Sequence, residues 1–148
     1  MAAGETESVT LSLEDTGSMA FQADFITGHH VTFDAAEEAG GQNLGARPTH
    51  MLLASFGACT AMDVISILRK MKQPVEGYRL RVEGQRASEH PRVFTHIAIT
   101  HTLVGDIDED RLARAIELSD STYCSVGAML RKSTEIDSRF EIERPRTS

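Results

Sequence analysis

Tryptophan is absent from this chain, only two tyrosines are present, and no lysine or arginine occurs before Arg47. With aromatic residues at 5%, no segment offers a row of rings on which bases would stack. The net charge of −7 over 148 residues opposes nucleic acid and anionic membrane surfaces, since both require clustered cations. Two cysteines, Cys59 and Cys124, are too few for a secreted disulfide scaffold. The N-terminus shows no basic segment leading into an apolar stretch, so no signal peptide is expected and the cytoplasm is the expected compartment. There is no glycine-rich loop ending in Gly-Lys-Ser/Thr and no Gly-x-Ser-x-Gly elbow, which removes phosphate-cradling and serine-hydrolase chemistry of those types. There is no Cys-x-x-Cys, and none of the six histidines has the helical i, i+4 partner of a metal pair, so neither a metal nor a cofactor is expected.

The shortage of cations is confined to one end. Residues 1–46 carry eight acids and no basic side chain, so they supply a cation only through His29 or His30. The remainder is close to neutral. A length of 148 residues suits one domain with a real core, with 1–7 and 144–148 as frayed tails.

Hydrophobic spacing predicts three short antiparallel strands over 9–13, 19–25 and 30–33, with turns at Asp15-Thr16-Gly17-Ser18 and Thr27-Gly28. A Gly-rich loop of about a dozen residues follows, a length that often carries function. Pro48 or Thr49 then opens a helix running to about Met71, where Arg69, Lys70 and Lys72 suit the C-terminal end of the dipole. Residues 51–68 are apolar enough to raise the question of a membrane span. Asp63 inside the run would cost roughly 3 kcal/mol at mid-bilayer. The segment therefore reads as a core helix, surrounded by protein because it is apolar on nearly every face. Two longer strands, 78–84 and 93–104, a helix capped by Asp106 or Asp108, a break near Ser119, a helix carrying Cys124 and a last strand through Ile136, Phe140 and Ile142 complete the pattern. It is an α+β domain with a mainly antiparallel sheet and a buried core helix.

The cysteines carry most of the chemical interest. With Ser121 as N-cap, Cys124 falls in the first turn of a helix, where unpaired N–H groups and the dipole favour a thiolate. Cys59, ten residues into an apolar helix, would be held protonated by burial alone. Local reasoning ranks Cys124 as the readier nucleophile and leaves open a pair of inert core cysteines. His50, in the first turn of the Cys59 helix, either lines a cavity with the thiol or faces solvent. Arg47 either folds over a Cys59 thiolate or is a solvated loop residue. Asp63, one turn after Cys59, reads as a loop cap or the partner of an arginine.

Three segments go further. Arg47-Pro48-Thr49-His50-Met51-Leu52-Leu53-Ala54-Ser55-Phe56-Gly57-Ala58-Cys59-Thr60-Ala61-Met62-Asp63-Val64 resembles the central-helix motif of the OsmC/Ohr family, the osmotically induced and organic hydroperoxide resistance proteins. Pro91 to Ile97 and Leu118 to Val126 add to the resemblance, in particular to the YhfA-like branch. It covers roughly residues 8–143, with both cysteines in order and at matching separation.

The resemblance implies antiparallel sheets packed around a long buried central helix, in an intertwined homodimer with sites at the subunit interface. It implies a thiol peroxidase acting on organic or lipid hydroperoxides and recycled by an external dithiol. In the family pattern Cys59 attacks and Cys124 resolves, which reverses the local ranking. Met51, Leu52, Phe56 and Met62 would make the surroundings apolar and favour alkyl over hydrogen peroxide. The chain departs from the family in lacking any arginine in 1–46, where the activating arginine lies, and in having Thr49-His50 where a glutamate opens the helix. Arg47 and His50 are the stand-ins nearby. The departures keep a second expectation open: a stress protein of this fold that binds a small apolar ligand or partner without efficient turnover. A structural dimer with inert cysteines is the third.

Overall fold

The computed structural model describes residues 4–13 and 15–145. Much of the two expected tails, 1–3 and 146–148, lies outside the described residues. The chain forms two compact units, one ending at Leu52 and the other beginning at Leu53.

The first unit is an antiparallel meander of β1 (Val9–Leu13), β2 (Phe21–Phe25) and β3 (His30–Phe33), paired in that order. The Asp15 carboxylate accepts from the Gly17 N–H at 3.0 Å and closes the first turn. Gly28, at φ +84°, takes the left-handed position in the second, which a side chain would resist. The loop after β3 is organised by one residue. The Asp34 carboxylate accepts from the backbone N–H groups of Ala35 (2.8 Å), Gln42 (2.9 Å) and Leu44 (3.1 Å), gathering a stretch with only a short 3₁₀ turn of its own.

The long helix α1 (Pro48–Lys70) begins in this unit and continues through the next. The second unit adds β4 (Gly77–Arg86) and β5 (Phe94–Val104), antiparallel, then α2 (Glu109–Leu118), a π-turn (Ser119–Tyr123), α3 (Ser125–Leu130) and β6 (Glu135–Glu143). Asp108 is the residue that caps α2, accepting from the Arg111 N–H at 2.9 Å.

The sequence reading is corrected at two points. β6 runs parallel to β5, because the chain between them crosses over through two helices and returns to the same end of the sheet. Nor is α1 enclosed within the single chain: it buries a stripe through Phe56, Gly57, Thr60, Val64 and Leu68 at three- and four-residue spacing, while Leu52 (40%) and Met62 (68%) are exposed.

That stripe faces two apolar clusters. Val64 and Leu68 meet Leu103, Leu112 and Ile116 at one end, and Phe56 meets Phe94, Ile97 and Ile99 at the other. Each such side chain contributes roughly 1.5–3 kcal/mol on burial. Close approach needs glycine at Gly84, where a Cβ would stand 2.5 Å from the Phe94 ring. Arg144, expected in a frayed tail, pairs with Asp106.

Candidate active site

Cys59 lies beside the buried stripe of α1 and is half-buried. Cys124 is buried at the end of the π-turn. Its place differs from the sequence expectation: Ser121 is not an N-cap and Cys124 is not inside a helix. Cys124 is itself the N-cap of α3, with extended backbone and its Sγ accepting from the Gly127 N–H at 3.3 Å. The direction of the thiol's acidity is corrected with it. Burial pushes the Cys124 thiol up to about 11, the Gly127 N–H opposes this, and the neighbouring Cys59 and Asp63 add to it. Local dipole reasoning fails because α3 has six residues and its first turn is packed into the core.

The two thiols, 65 positions apart in sequence, come together as free cysteines in the same apolar cluster. Their proximity disfavours a charge on Cys124, so Cys124 stays protonated beside Cys59. Of the four residues expected around the site, Phe56 is in the cluster and fully buried, Met51 is half-buried, and Leu52 and Met62 face outward.

Asp63 is neither a loop cap nor an arginine's partner. Its Oδ2 accepts from the Ser119 hydroxyl at 3.0 Å, and Ser119 Oγ lies 2.9 Å from Thr60 Oγ1. Arg47 bonds within its own loop, to the Gly45 carbonyl and to Asn43 Oδ1, both at 3.3 Å. His50 is exposed in the first turn of α1. Among the described residues no group of three or more His, Cys, Asp or Glu side chains converges as metal ligands would.

Sequence reasoning missed Arg131. A methyl group on Gly127 would stand 3.0 Å from Phe56 Cε2, 3.2 Å from Cys124 Sγ and 3.6 Å from Arg131 Nη1, so the guanidinium and the thiol flank the same glycine. Arg131 Nη2 is 3.2 Å from Asp120 Oδ1, and its Nη1 is buried without a protein partner. The signal was available: Arg131 follows Gly127 by four positions at the end of a short helix, where the two share a face.

The family model for OsmC-like protein matches residues 40–139. Protein YhfA of Escherichia coli K12 is 34% identical over 128 residues, spanning 84% of this chain and 90% of its own. A hypothetical protein from Aquifex aeolicus VF5 is 31% identical and superposes with a TM-score of 0.84 over 97% of this chain and 100% of its own. An organic hydroperoxide resistance protein OsmC from Legionella pneumophila shares the fold alone, at 13% identity and a TM-score of 0.71, over 95% of this chain and 99% of its own. Family match, sequence relative and fold agree with the thiol-bearing helix and sheet described above, and the chain belongs to the OsmC-like protein family.

Proposed function

We propose that this protein is a cysteine-based peroxidase that reduces organic hydroperoxides through a Cys59–Cys124 disulfide, in defence against oxidative stress in the cytoplasm. The observation that carries the reading is the meeting of the two thiols in one apolar cluster. Their environments divide the labour. Cys59, the more exposed, is the thiol a hydroperoxide reaches. Its thiolate attacks the distal peroxide oxygen, the O–O bond breaks, and the alkoxide takes a proton to leave as an alcohol, with Cys59 oxidised to a sulfenic acid. Cys124, buried and protonated, then attacks the sulfenic sulfur. The S–S bond forms, the S–O bond breaks, and hydroxide leaves with the Cys124 proton as water. An external dithiol returns the pair to thiols. Apolar neighbours such as Leu53, Phe56 and Val126 suit an alkyl hydroperoxide better than hydrogen peroxide. Arg47 and His50 are retained as candidates for activating Cys59, with Arg131 added.

The functional unit we propose is a homodimer. The exposed apolar side of α1 and the exposed Val9, Leu11 and Leu13 of β1 support a second copy covering them. Light scattering on the eluted protein tests this, a monomer at micromolar concentration being the contrary result.

A second reading has its own observation: a cavity of about 370 Å³ in the first unit, lined by Leu11, Met19, Phe21, Phe33, Asp34, Ala35 and Pro48 and almost wholly apolar. It suits a protein that binds a small apolar ligand without turnover. A free-thiol count and intact mass after one equivalent of tert-butyl hydroperoxide decide between the two. Rapid loss of both thiols with loss of two hydrogens supports the peroxidase. Cys59→Ser should abolish the reaction, and Cys124→Ser should stop it at the sulfenic acid. Survival of both thiols in the wild-type protein favours the binding reading.

A further inference from the structure

Ser119 is fully buried, and so is Thr60. A carboxylate only accepts, so Ser119 spends its one hydroxyl proton on Asp63 Oδ2 and the Thr60 hydroxyl must be the donor to Ser119 Oγ. The result is a directed chain, Thr60 to Ser119 to Asp63, ending on a charge, the arrangement in which hydrogen bonds are strongest. Both ends of the chain belong to the turn of α1 that carries Cys59: Thr60 follows it and Asp63 lies one turn on. The middle belongs to the π-turn, and there the Ser119 carbonyl accepts from the Cys124 N–H at 2.9 Å. Ser119 is therefore fastened twice, by its side chain to the Cys59 helix and by its main chain to Cys124. Single turns of π-helix are rare and are frequent at functional sites. This one lets a single residue join the two thiol-bearing segments.

We propose that Thr60, Ser119 and Asp63 form a positioning clamp that sets the approach of Cys124 to Cys59, and so controls disulfide closure rather than the attack on peroxide. The inference rests on the peroxidase reading for its place in the cycle, but the clamp itself is a statement about two thiols and a hydrogen-bonded bridge. Misplacing reacting groups by about 1 Å costs on the order of a hundredfold in rate, and loss of the side-chain bridge leaves Cys124 bonded to a Ser119 main chain that is no longer tied to α1. The Asp63 charge bears on the Cys124 thiol separately from its hydrogen bond to Ser119, so the two roles come apart in Asp63→Asn, which keeps an acceptor for Ser119 and removes the charge.

The test equilibrates the reduced protein with glutathione redox buffers and measures the oxidised fraction, which gives the effective concentration of one thiol at the other with no hydroperoxide present. Ser119→Ala is expected to lower it at least tenfold, Thr60→Val to lower it less, and Asp63→Asn to hold it near wild type while moving its pH dependence to lower pH. With tert-butyl hydroperoxide, Ser119→Ala is expected to consume the first thiol at the wild-type rate while a dimedone-trappable sulfenic acid persists at least tenfold longer. A merely structural role would lower the melting temperature without separating these two steps. If Ser119→Ala does not fold, Thr60→Val carries the same comparison. An unchanged effective concentration in a folded variant overturns the clamp whatever the peroxidase result. Wild-type protein that ignores hydroperoxide but shows the glutathione dependence overturns the peroxidase reading and leaves the clamp standing.

Discussion

The Tyr78 hydroxyl lies 2.6 Å from Nδ1 of His101, and the two rings stack with centroids 5.9 Å apart. Burial drives His101 down to about 4, so the ring is neutral. Burial, with the charge of Asp120, raises Tyr78, so the phenol stays protonated and donates to Nδ1. The ring proton then sits on Nε2, which has no protein acceptor. Because the folded pKa is below the unfolded value of about 6.5, the unfolded chain binds a proton that the folded one does not throughout that interval, and stability falls as pH drops from 6.5 towards 4. Urea unfolding should show a loss of about 2 kcal/mol between pH 7 and pH 5 in the wild type that is missing in His101→Gln. Equal pH dependence in the two proteins would refute this account of His101.

Cys124 is a cap as well as a thiol. Cys124→Ser keeps an acceptor for the Gly127 N–H, and Cys124→Ala removes it. The alanine variant is expected to be less stable than the serine variant by about 1 kcal/mol. Thermal unfolding of the pair measures the difference, and identical midpoints would mean that the sulfur hydrogen bond contributes nothing.

Gly127→Ala places a methyl group 3.0 Å from the Phe56 ring, which is fully buried, and 3.2 Å from Cys124 Sγ. Helix propensity favours alanine by about 1 kcal/mol, while overpacking a closed core costs about 1–3 kcal/mol. The variant should be less stable by about 1 kcal/mol and should form the disulfide several-fold more slowly with tert-butyl hydroperoxide. A gain in stability would show that Phe56 can yield.

Asp34 holds the loop of the first unit by accepting three backbone N–H groups, and the bonds from Leu44 and Gln42 keep its carboxyl below the usual value of 3.8. A depressed carboxyl stabilises the fold above that value, and the contribution disappears as pH falls through the folded pKa. Asp34→Ala should raise amide hydrogen exchange at Gln42 and Leu44 by at least tenfold at neutral pH while leaving β5 protected. Unchanged exchange at those two amides would assign the loop's order to another contact.

The strands were legible wherever a period of two left one face apolar. Ile97, Ile99 and Leu103 on β5 are the clearest case, because burial on one face imposes the alternation. The parallel pairing of β6 was not legible, since its own alternation is the same in either direction and the intervening crossover decides it. The apolarity of α1 concealed its buried stripe, because exposed residues such as Leu52 and Met62 are as apolar as those that pack. In the site, residue types and the motif around Cys59 singled out both cysteines. The acidity of Cys124 was misjudged from the chain alone, because its burial is set by packing.

An α+β chain with two cysteines on separate apolar segments and a first third without a basic residue follows from the order of residues alone, because composition and periodicity are properties of neighbours along the chain. Packing brought Cys59 and Cys124 together, bonded Ser119 to the Cys59 helix and to the Cys124 main chain, and set Arg131 and Cys124 around one glycine. The physical reason is that burial, hydrogen-bond partners and thiol acidity are set by groups dozens of residues away, which packing alone brings within reach.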